Sequence, residues 1–536
     1  MFFKNNSVSV RIVKRLSLKR FYFGNYISWE WRRPLFAKAF RVTGRMNPHI
    51  VILGESGGGK SNAARLLVRE FHKGGFNLII LDPNRDYLGI ADSINADVYD
   101  ASRSSINLFD LDDSSEPEKI GELMAILTRR LRLGHVQASV LKRCIGYCYW
   151  VMKKAGKVPT IKSLLYTIRI FQKRTPGPEH RTLETLHERL SLLDTGHPSR
   201  QIEMEKVISG SCVFLLSSLH SEEAQSIYME GLLRKMYSMM LSGRIAKPTY
   251  IVIDEARKVS ESRALGRIAA EGRKYGVGLI TISQRANEID GEVMGNSSLI
   301  VSFYQREPGE LNYISNYIAG GNELGRFAQV KKGIRNLSVG EAIMLDSSQK
   351  EPFIARFPLC KTMPTSLRYF ILDSSSKGML QSELLRKLNA FGFRAEDSAS
   401  EISRLVAERR LFGYEVSEGS FRGSWLISEP RNSAEHDLYV NLISRKLTSS
   451  GIRNEVYNSS YGPDIIAYSN GSSVAVEYET GRKKPEETSE MLLARKKKYE
   501  KVVVIVNDAH YGKQGAAEGI TFVRLSHFME QAKVEL

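Results

Sequence analysis

The stretch Ile50-Val51-Ile52-Leu53-Gly54-Glu55-Ser56-Gly57-Gly58-Gly59-Lys60-Ser61-Asn62 decides how this chain is read. Four apolar residues predict a buried strand, and a glycine-rich turn follows. From Asn62 to Val68 the apolar residues then take helical spacing. The pattern G-x-x-x-x-G-K-[ST], placed between strand and helix, predicts a phosphate cradle. Small residues there let backbone N–H groups close around phosphate oxygens at a helix N-terminus. Gly54, Glu55, Ser56, Gly57, Gly58, Gly59, Lys60, Ser61 and Asn62 are the expected nucleotide-binding residues. Lys60 would reach the β- and γ-phosphates and Ser61 would ligate Mg²⁺.

Outward from the cradle, Leu78-Ile79-Ile80-Leu81 reads as a second buried strand, ending at Asp82. From about residue 114 to 205 the character is helical: Ile120, Leu123, Ile126 and Leu127 keep helical spacing, as do Leu141, Ile145 and Cys148. Cys144 and Cys148, four apart, are expected in that core. Strand-like runs return at 212–216, 250–253 and 278–282, so a parallel α/β sheet with a helical insertion is predicted. The run at 250–253 ends in Asp254-Glu255, which suits metal coordination by Asp254 and water activation by Glu255. Gln284, after the run at 278–282, stands where an amide can sense a γ-phosphate.

The chain has 536 residues, 42% hydrophobic and 25% charged, so three or four globular domains are expected. The longest apolar runs, such as residues 502–506, fall far short of the ~18 residues a bilayer span needs. The N-terminus shows no signal-peptide apolar segment, and the four cysteines show no CxxC spacing. A soluble cytoplasmic protein is the expectation. Net charge is +18, and eleven basic residues precede residue 46 against the single acid Glu30. Phe21, Tyr22, Phe23, Trp29 and Trp31 interleave with them. A polyanion is the natural partner, nucleic acid before membrane; the bland alternative is a solvated basic tail.

A boundary is expected near 358–365. Beyond it, Leu380, Leu384, Leu385 and Leu388 predict one helix, Ala399, Ile402, Leu405 and Val406 a second, and Tyr414 to Ile427 a hairpin. Together these resemble a winged helix-turn-helix over residues 365–429, with Arg404, Arg409 and Arg410 expected to face DNA phosphates. In the last segment, 431–536, Pro463 to Tyr468 reads as a strand, Asn470-Gly471 as a hairpin turn and Ser473 to Glu479 as the returning strand. Alternation puts Ala475, Glu477 and Glu479 on one face. Asp464, Glu477 and Glu479 are therefore candidates to converge on Mg²⁺ or Mn²⁺ that activates water for phosphodiester cleavage. This region resembles the PD-(D/E)xK nuclease fold, with Glu435 as a further acid. Glu479 replaces the lysine of that pattern, leaving the cation to Lys483, Lys484 or Lys496-Lys497-Lys498. A nuclease-like fold that binds DNA without cutting is the other reading.

The stretches MNPHIVILGESGGGKSN, LDPNRDY, YIVIDEARKV and EGRKYGVGLITISQR resemble, in order and spacing, the HerA/FtsK superfamily of hexameric DNA-translocating ATPases, over roughly residues 47–345. The HerA branch and conjugation ATPases are most similar. The resemblance implies a RecA-like P-loop ASCE core over 47–360, behind a basic N-terminal segment, 1–46. It also implies a homo-oligomeric ring, double-stranded DNA in the channel, and ATP with Mg²⁺ as cofactors. It makes Asp254 the metal acid, Glu255 the base, Gln284 the sensor and Arg273 a finger reaching the neighbouring subunit's nucleotide, with Arg306 as the next candidate. Asp82 matches an acid of the family pattern, though Asn84-Arg85-Asp86 departs from it. A translocase or helicase is expected; the alternatives are a DNA-transfer or packaging motor with a separate nuclease or transfer partner, and a nucleotide-switched DNA-binding protein.

Overall fold

Isoleucine, leucine and valine fill the strands Asn77–Asp82, Ser211–Leu215, Thr249–Ile253 and Val277–Ser283, and every residue in these strands is buried. Strands covered on both faces favour such runs over alternation. The computed structural model describes residues 9–10, 20–23, 26–29, 40–41, 47–112, 114–194, 200–219, 221–320, 324–347, 352–357, 359–430, 432–456, 462–469, 472–480, 485–512 and 520–535. The chain divides into two units, Met1–Pro364 and Thr365–Leu536. The side chains of the basic segment before residue 47, Lys483, Lys484 and the Asn470-Gly471 turn lie outside the described residues.

The first unit is built on a nine-stranded sheet. Its order is Phe353–Arg356, Glu341–Asp346, Ser297–Ser302, His49–Leu53, Val277–Ser283, Thr249–Ile253, Asn77–Asp82, Ser211–Leu215, Ala96–Asp100. The two pairings at the Phe353–Arg356 edge are antiparallel; the other six are parallel. Register places Ser283 beside Leu53 and Ile253 beside Leu81. Asp82, the last residue of its strand, and Gly54, Asp254 and Gln284, which follow theirs, therefore emerge on one edge, where parallel α/β sheets bind ligands. Helices Glu116–Arg130, His135–Lys154, Ile161–Arg174 and Pro178–Ser191 form the insertion around a separate core that includes Leu123, Leu141, Leu164 and Leu186. Cys144 and Cys148 are buried in that core as thiols.

In the second unit, helices Leu367–Ser374, Gln381–Ala390 and Ala395–Ala407 pack with a three-stranded sheet of Met379–Leu380, Gly423–Ser428 and Leu411–Val416, in that order. The sequence showed two of these helices. The first, capped by Ser366 accepting from Tyr369 N–H, has eight residues, too few for a clear helical period. Leu380, expected inside a helix, instead pairs with Trp425 in strand register, and the helix begins at Gln381. Next come helix Ala434–Ser449 and a five-stranded sheet, Arg453–Val456, Ile465–Ser469, Ser472–Glu479, Lys501–Val506, Ile520–Arg524. It is antiparallel through its third strand and parallel after it. Val416, Trp425 and Ile427 of the hairpin share one core with Leu438, Tyr439, Val476 and Phe528. Segments 365–429 and 431–536 thus pack as one body.

Candidate functional site

The glycine turn is held from beneath by Phe303. Gly54 and Gly59 have φ of 149° and 116°, and a Cβ on either would come within 2.6 Å and 3.1 Å of Phe303. Only glycine satisfies both the conformation and the approach. Helix Lys60–Lys73 starts at Gly59 with no side-chain cap, which leaves its first N–H groups for a ligand. Lys60 Nζ donates to the Glu55 carbonyl at 2.8 Å, curling over the turn. Burial pulls its pKa down while Asp254 and Glu55 oppose that shift. A cavity of about 450 Å³ lies above, lined by Lys60, Ser61, Asp254, Glu255 and Gln284 among others. That volume is in the range of small-molecule sites. The structure therefore brings the two acids and the amide to the cradle. Asn62 also lines the cavity, but its side-chain oxygen accepts from Cys360 N–H at 2.7 Å and so ties down a later segment.

Asp254 is 5% exposed. Burial first, then the charges of Asp82 and Asp86, push its carboxyl up to about 7. Its Oδ1 accepts from Glu255 N–H at 3.1 Å, whereas Oδ2 has no hydrogen-bond partner among the described residues. A buried acceptor without a partner costs ~1–3 kcal/mol; Asp254 and Ser61 line the same cavity, and a divalent cation held by them would remove that cost. The residues fit Mg²⁺.

Glu255 differs. It sits in the left-handed region at φ 52°, a strained backbone of the kind that concentrates at functional sites. Asn84 Nδ2 donates to its Oε1 at 3.0 Å, and Lys258 Nζ lies 3.3 Å from Oε2. Burial opposes ionisation, but Asn84, Lys258 and Arg257 outweigh it and hold the carboxyl below its usual range. It is a carboxylate at neutral pH. Asp82, fully buried and pushed up to about 6, mainly by burial, accepts from the N–H groups of Asn84, Asp86 and Tyr87. It shapes the turn that delivers Asn84. The fully buried Tyr87 hydroxyl also has no partner among the described residues; burial first, then the charge of Asp254, push its pKa up. Sequence reading gave Asn84 and Tyr87 no role; the departure at Asn84-Arg85-Asp86 was the available signal.

Arg273 lies in the turn Gly272–Tyr275, ahead of strand Val277–Ser283. The seven residues of that strand separate it from Gln284, ~20 Å at strand rise. Arg306 is instead near the chain's own cradle, its N–H donating to Glu55 Oε1 at 2.6 Å.

In the second unit the acids expected to converge are only partly brought together. Register sets Asp464 opposite Glu477, next to the Ile465–Val476 pair. Asp464 Oδ2 accepts from Tyr478 N–H at 2.8 Å and meets His436 Nε2 at 3.2 Å. Glu477 Oε1 accepts from Arg495 Nε at 2.8 Å, with Glu477 5% and Arg495 7% exposed. The cation that meets Glu477 among the described residues is Arg495, which the sequence reading did not name; Lys483 and Lys484 lie outside the described residues. Glu479 is one pleat further along, ~7 Å. Asp464 and Glu477 are brought into side-chain contact, and among the described residues no three His, Cys, Asp or Glu side chains are grouped to hold a metal. Burial, then Asp464, drive Glu477 up; burial would also raise Asp464, but His436, the Tyr478 N–H and Glu477 together hold it down. Arg404 pairs with Glu408 at 3.1 Å, and Arg410 with Glu429 at 2.9 Å. Arg409 adopts φ 55° at the end of its helix.

With this geometry in view, residues 40–247 match the family model described as "Helicase HerA, central domain". Over that stretch the chain is similar to a HerA-type P-loop ATPase domain. The matched stretch includes the cradle and ends just before Asp254, which the same sheet places beside it. A probable helicase of Methanocaldococcus jannaschii is 25% identical over 351 residues, 58% of this chain and 65% of that protein. The chain therefore spans less than two thirds of that relative. The DNA double-strand break repair helicase HerA of Sulfolobus acidocaldarius is 23% identical over 346 residues, 58% and 66% of the two chains. Among solved structures, VirB4 of Thermoanaerobacter pseudethanolicus is 21% identical with a TM-score of 0.49, over 60% of this chain and 91% of that one. Among the described residues no helix is long and apolar enough to cross a membrane.

Proposed function

We propose that this chain is an ATP-driven double-stranded DNA translocase or helicase working as a homo-oligomeric ring, a hexamer. The observation that carries the reading is Asp254: a buried carboxylate with an unpartnered oxygen, at the same sheet edge as Lys60 and a Glu255 held ionised. A nucleotide-binding switch needs the cradle; it does not need an ionised base fixed by Asn84 and Lys258. The basic balance of +18 and relatives named as helicases favour DNA as the track.

In this reading Lys60 and the N–H groups of the glycine turn hold the phosphates, and Mg²⁺ at Ser61 and Asp254 supplies charge neutralisation on the phosphate oxygens. Glu255 takes a proton from the attacking water, and Gln284 reports the γ-phosphate. Arg273, a strand's length from its own cradle, serves the neighbouring subunit's nucleotide. The second unit is a winged helix fused to a nuclease-like domain that engages the DNA; the pairing of Asp464 and Glu477 with His436 and Arg495 favours binding over cutting.

Turnover with and without DNA, together with the oligomer mass, tests the motor. Duplex DNA should stimulate hydrolysis by a ring; rates indifferent to linear, nicked and single-stranded DNA, or a monomer mass, sink it. Mg²⁺- or Mn²⁺-dependent cleavage lost in Asp464→Ala would instead make the second unit a nuclease.

A further inference from the structure

Helices His135–Lys154 and Ile161–Arg174 carry a charge pattern the motor does not use. From Leu131 to Pro178 the sequence contains ten lysines and arginines and no aspartate or glutamate. All ten are exposed. Arg143 is neutralised by Glu179, which lies just outside this stretch. The helix C-termini account for pairs such as Lys153-Lys154 through the macrodipole, but not for an acid-free run of this length. Arg143, Tyr147, Trp150 and Lys154 are spaced i, i+4, i+7 and i+11, on one face of the first helix. There Tyr147 contacts Trp150 at 5.6 Å and Phe171 of the second helix at 5.1 Å. Trp150 is 52% exposed, with Lys154 Nζ 3.7 Å from its ring centroid.

A large exposed indole among cations, propped by two further rings, is the composition of a base-stacking platform beside a phosphate track. A membrane surface is less well served. The apolar face of the first helix, Val140, Leu141, Cys144, Ile145 and Cys148, is spent on the insertion's own core; the large apolar side chains that helix exposes are Val136, Trp150 and Val151, too few for the continuous stripe that enters a bilayer. We propose that this two-helix face binds single-stranded DNA, phosphates on its lysines and arginines and an unpaired base on Trp150. The proposal shares with the motor reading its choice of DNA, but needs neither ATP nor the ring channel.

The test is fluorescence anisotropy of a labelled oligothymidylate with the full chain, without nucleotide, across a salt series. Trp150→Ala should weaken binding about tenfold, with Trp150→Phe recovering most of it. Lys153→Ala/Lys154→Ala/Lys157→Ala should lower the slope of log K against log salt by about 2. Melting temperatures report that the variants fold. Parental affinity and slope in both variants overturn the proposal, as does retention on phosphatidylserine vesicles without oligonucleotide binding. Duplex-stimulated ATP hydrolysis is read separately: its absence with oligonucleotide binding intact fails the motor and not this face.

Discussion

Asp254, buried just after its strand, and Asp464, half-buried just before its own, are handled in opposite ways. Asp254 keeps an oxygen without a partner among the described residues and is pushed up to about 7. Asp464 meets a histidine and a backbone N–H and is held below its usual range. Burying a charge is costly unless it is paired. The first site therefore stores an unmet demand for a cation, whereas the second has met that demand from its own chain. An acid left wanting marks a place built to receive something.

That contrast is breakable. Lys60→Ala and Glu255→Gln should each cut ATP hydrolysis by ~10²–10⁴-fold, measured by phosphate release. The glutamine variant should still bind ATP, since the cradle is untouched. In the second unit, Arg495→Ala strands Glu477 in the interior and should cost ~3–5 kcal/mol in urea unfolding. Pairing it with Glu477→Leu should recover most of the loss, because no uncompensated charge then remains; equal losses in both would mean the ion pair is not what holds this core.

The histidine gives the comparison a pH axis. Burial alone would depress His436, but Asp437 and Asp464 raise it from 6.5 to about 10. A raised histidine contributes stability that is complete below about pH 6.5 and fades as pH climbs through 10. His436→Gln should cost about 2 kcal/mol at pH 6.5 and nothing measurable near pH 10, by denaturation at both. Asp254 runs the other way. With its folded pKa near 7 against 3.8 unfolded, ionisation costs the ligand-free protein stability as pH rises from about 4 to 7. Asp254→Asn should therefore raise the ligand-free melting temperature at pH 8 by roughly 5 °C, and should abolish the further rise that Mg²⁺-ADP gives the parent.

The cradle and its acids were legible because their chemistry is contiguous: Gly54 to Ser61 and Tyr250 to Glu255 each carry the strand and the reactive groups together. Strand periodicity likewise placed Glu477 and Glu479 on one face. It could not reveal that Arg495 from one helix and His436 from another would reach the acids. Those contacts span 18 and 28 residues, and an arginine or a histidine on a helix carries no local mark of its partner. Asn84 was hidden for a related reason. It hydrogen-bonds Glu255, 171 residues away; the departure at Asn84-Arg85-Asp86 marked the stretch as unusual but not which residue it would meet.

Phe303 has a mechanical meaning. It lies against Gly54 and Gly59 on one side and stacks near Phe357, 5.6 Å away, on the other. Gly340 N–H donates to the Gly58 carbonyl at 3.1 Å, Phe357 N–H to Gly340, and Cys360 N–H to Asn62. The cradle is thus rigged by three separate cords to the stretch of chain immediately before Thr365, where the second unit begins. The shape of the glycine turn is therefore set in part by residues as far as 298 positions further along the chain, so a substitution at Phe357 or Cys360 should disturb the cradle without touching it in sequence.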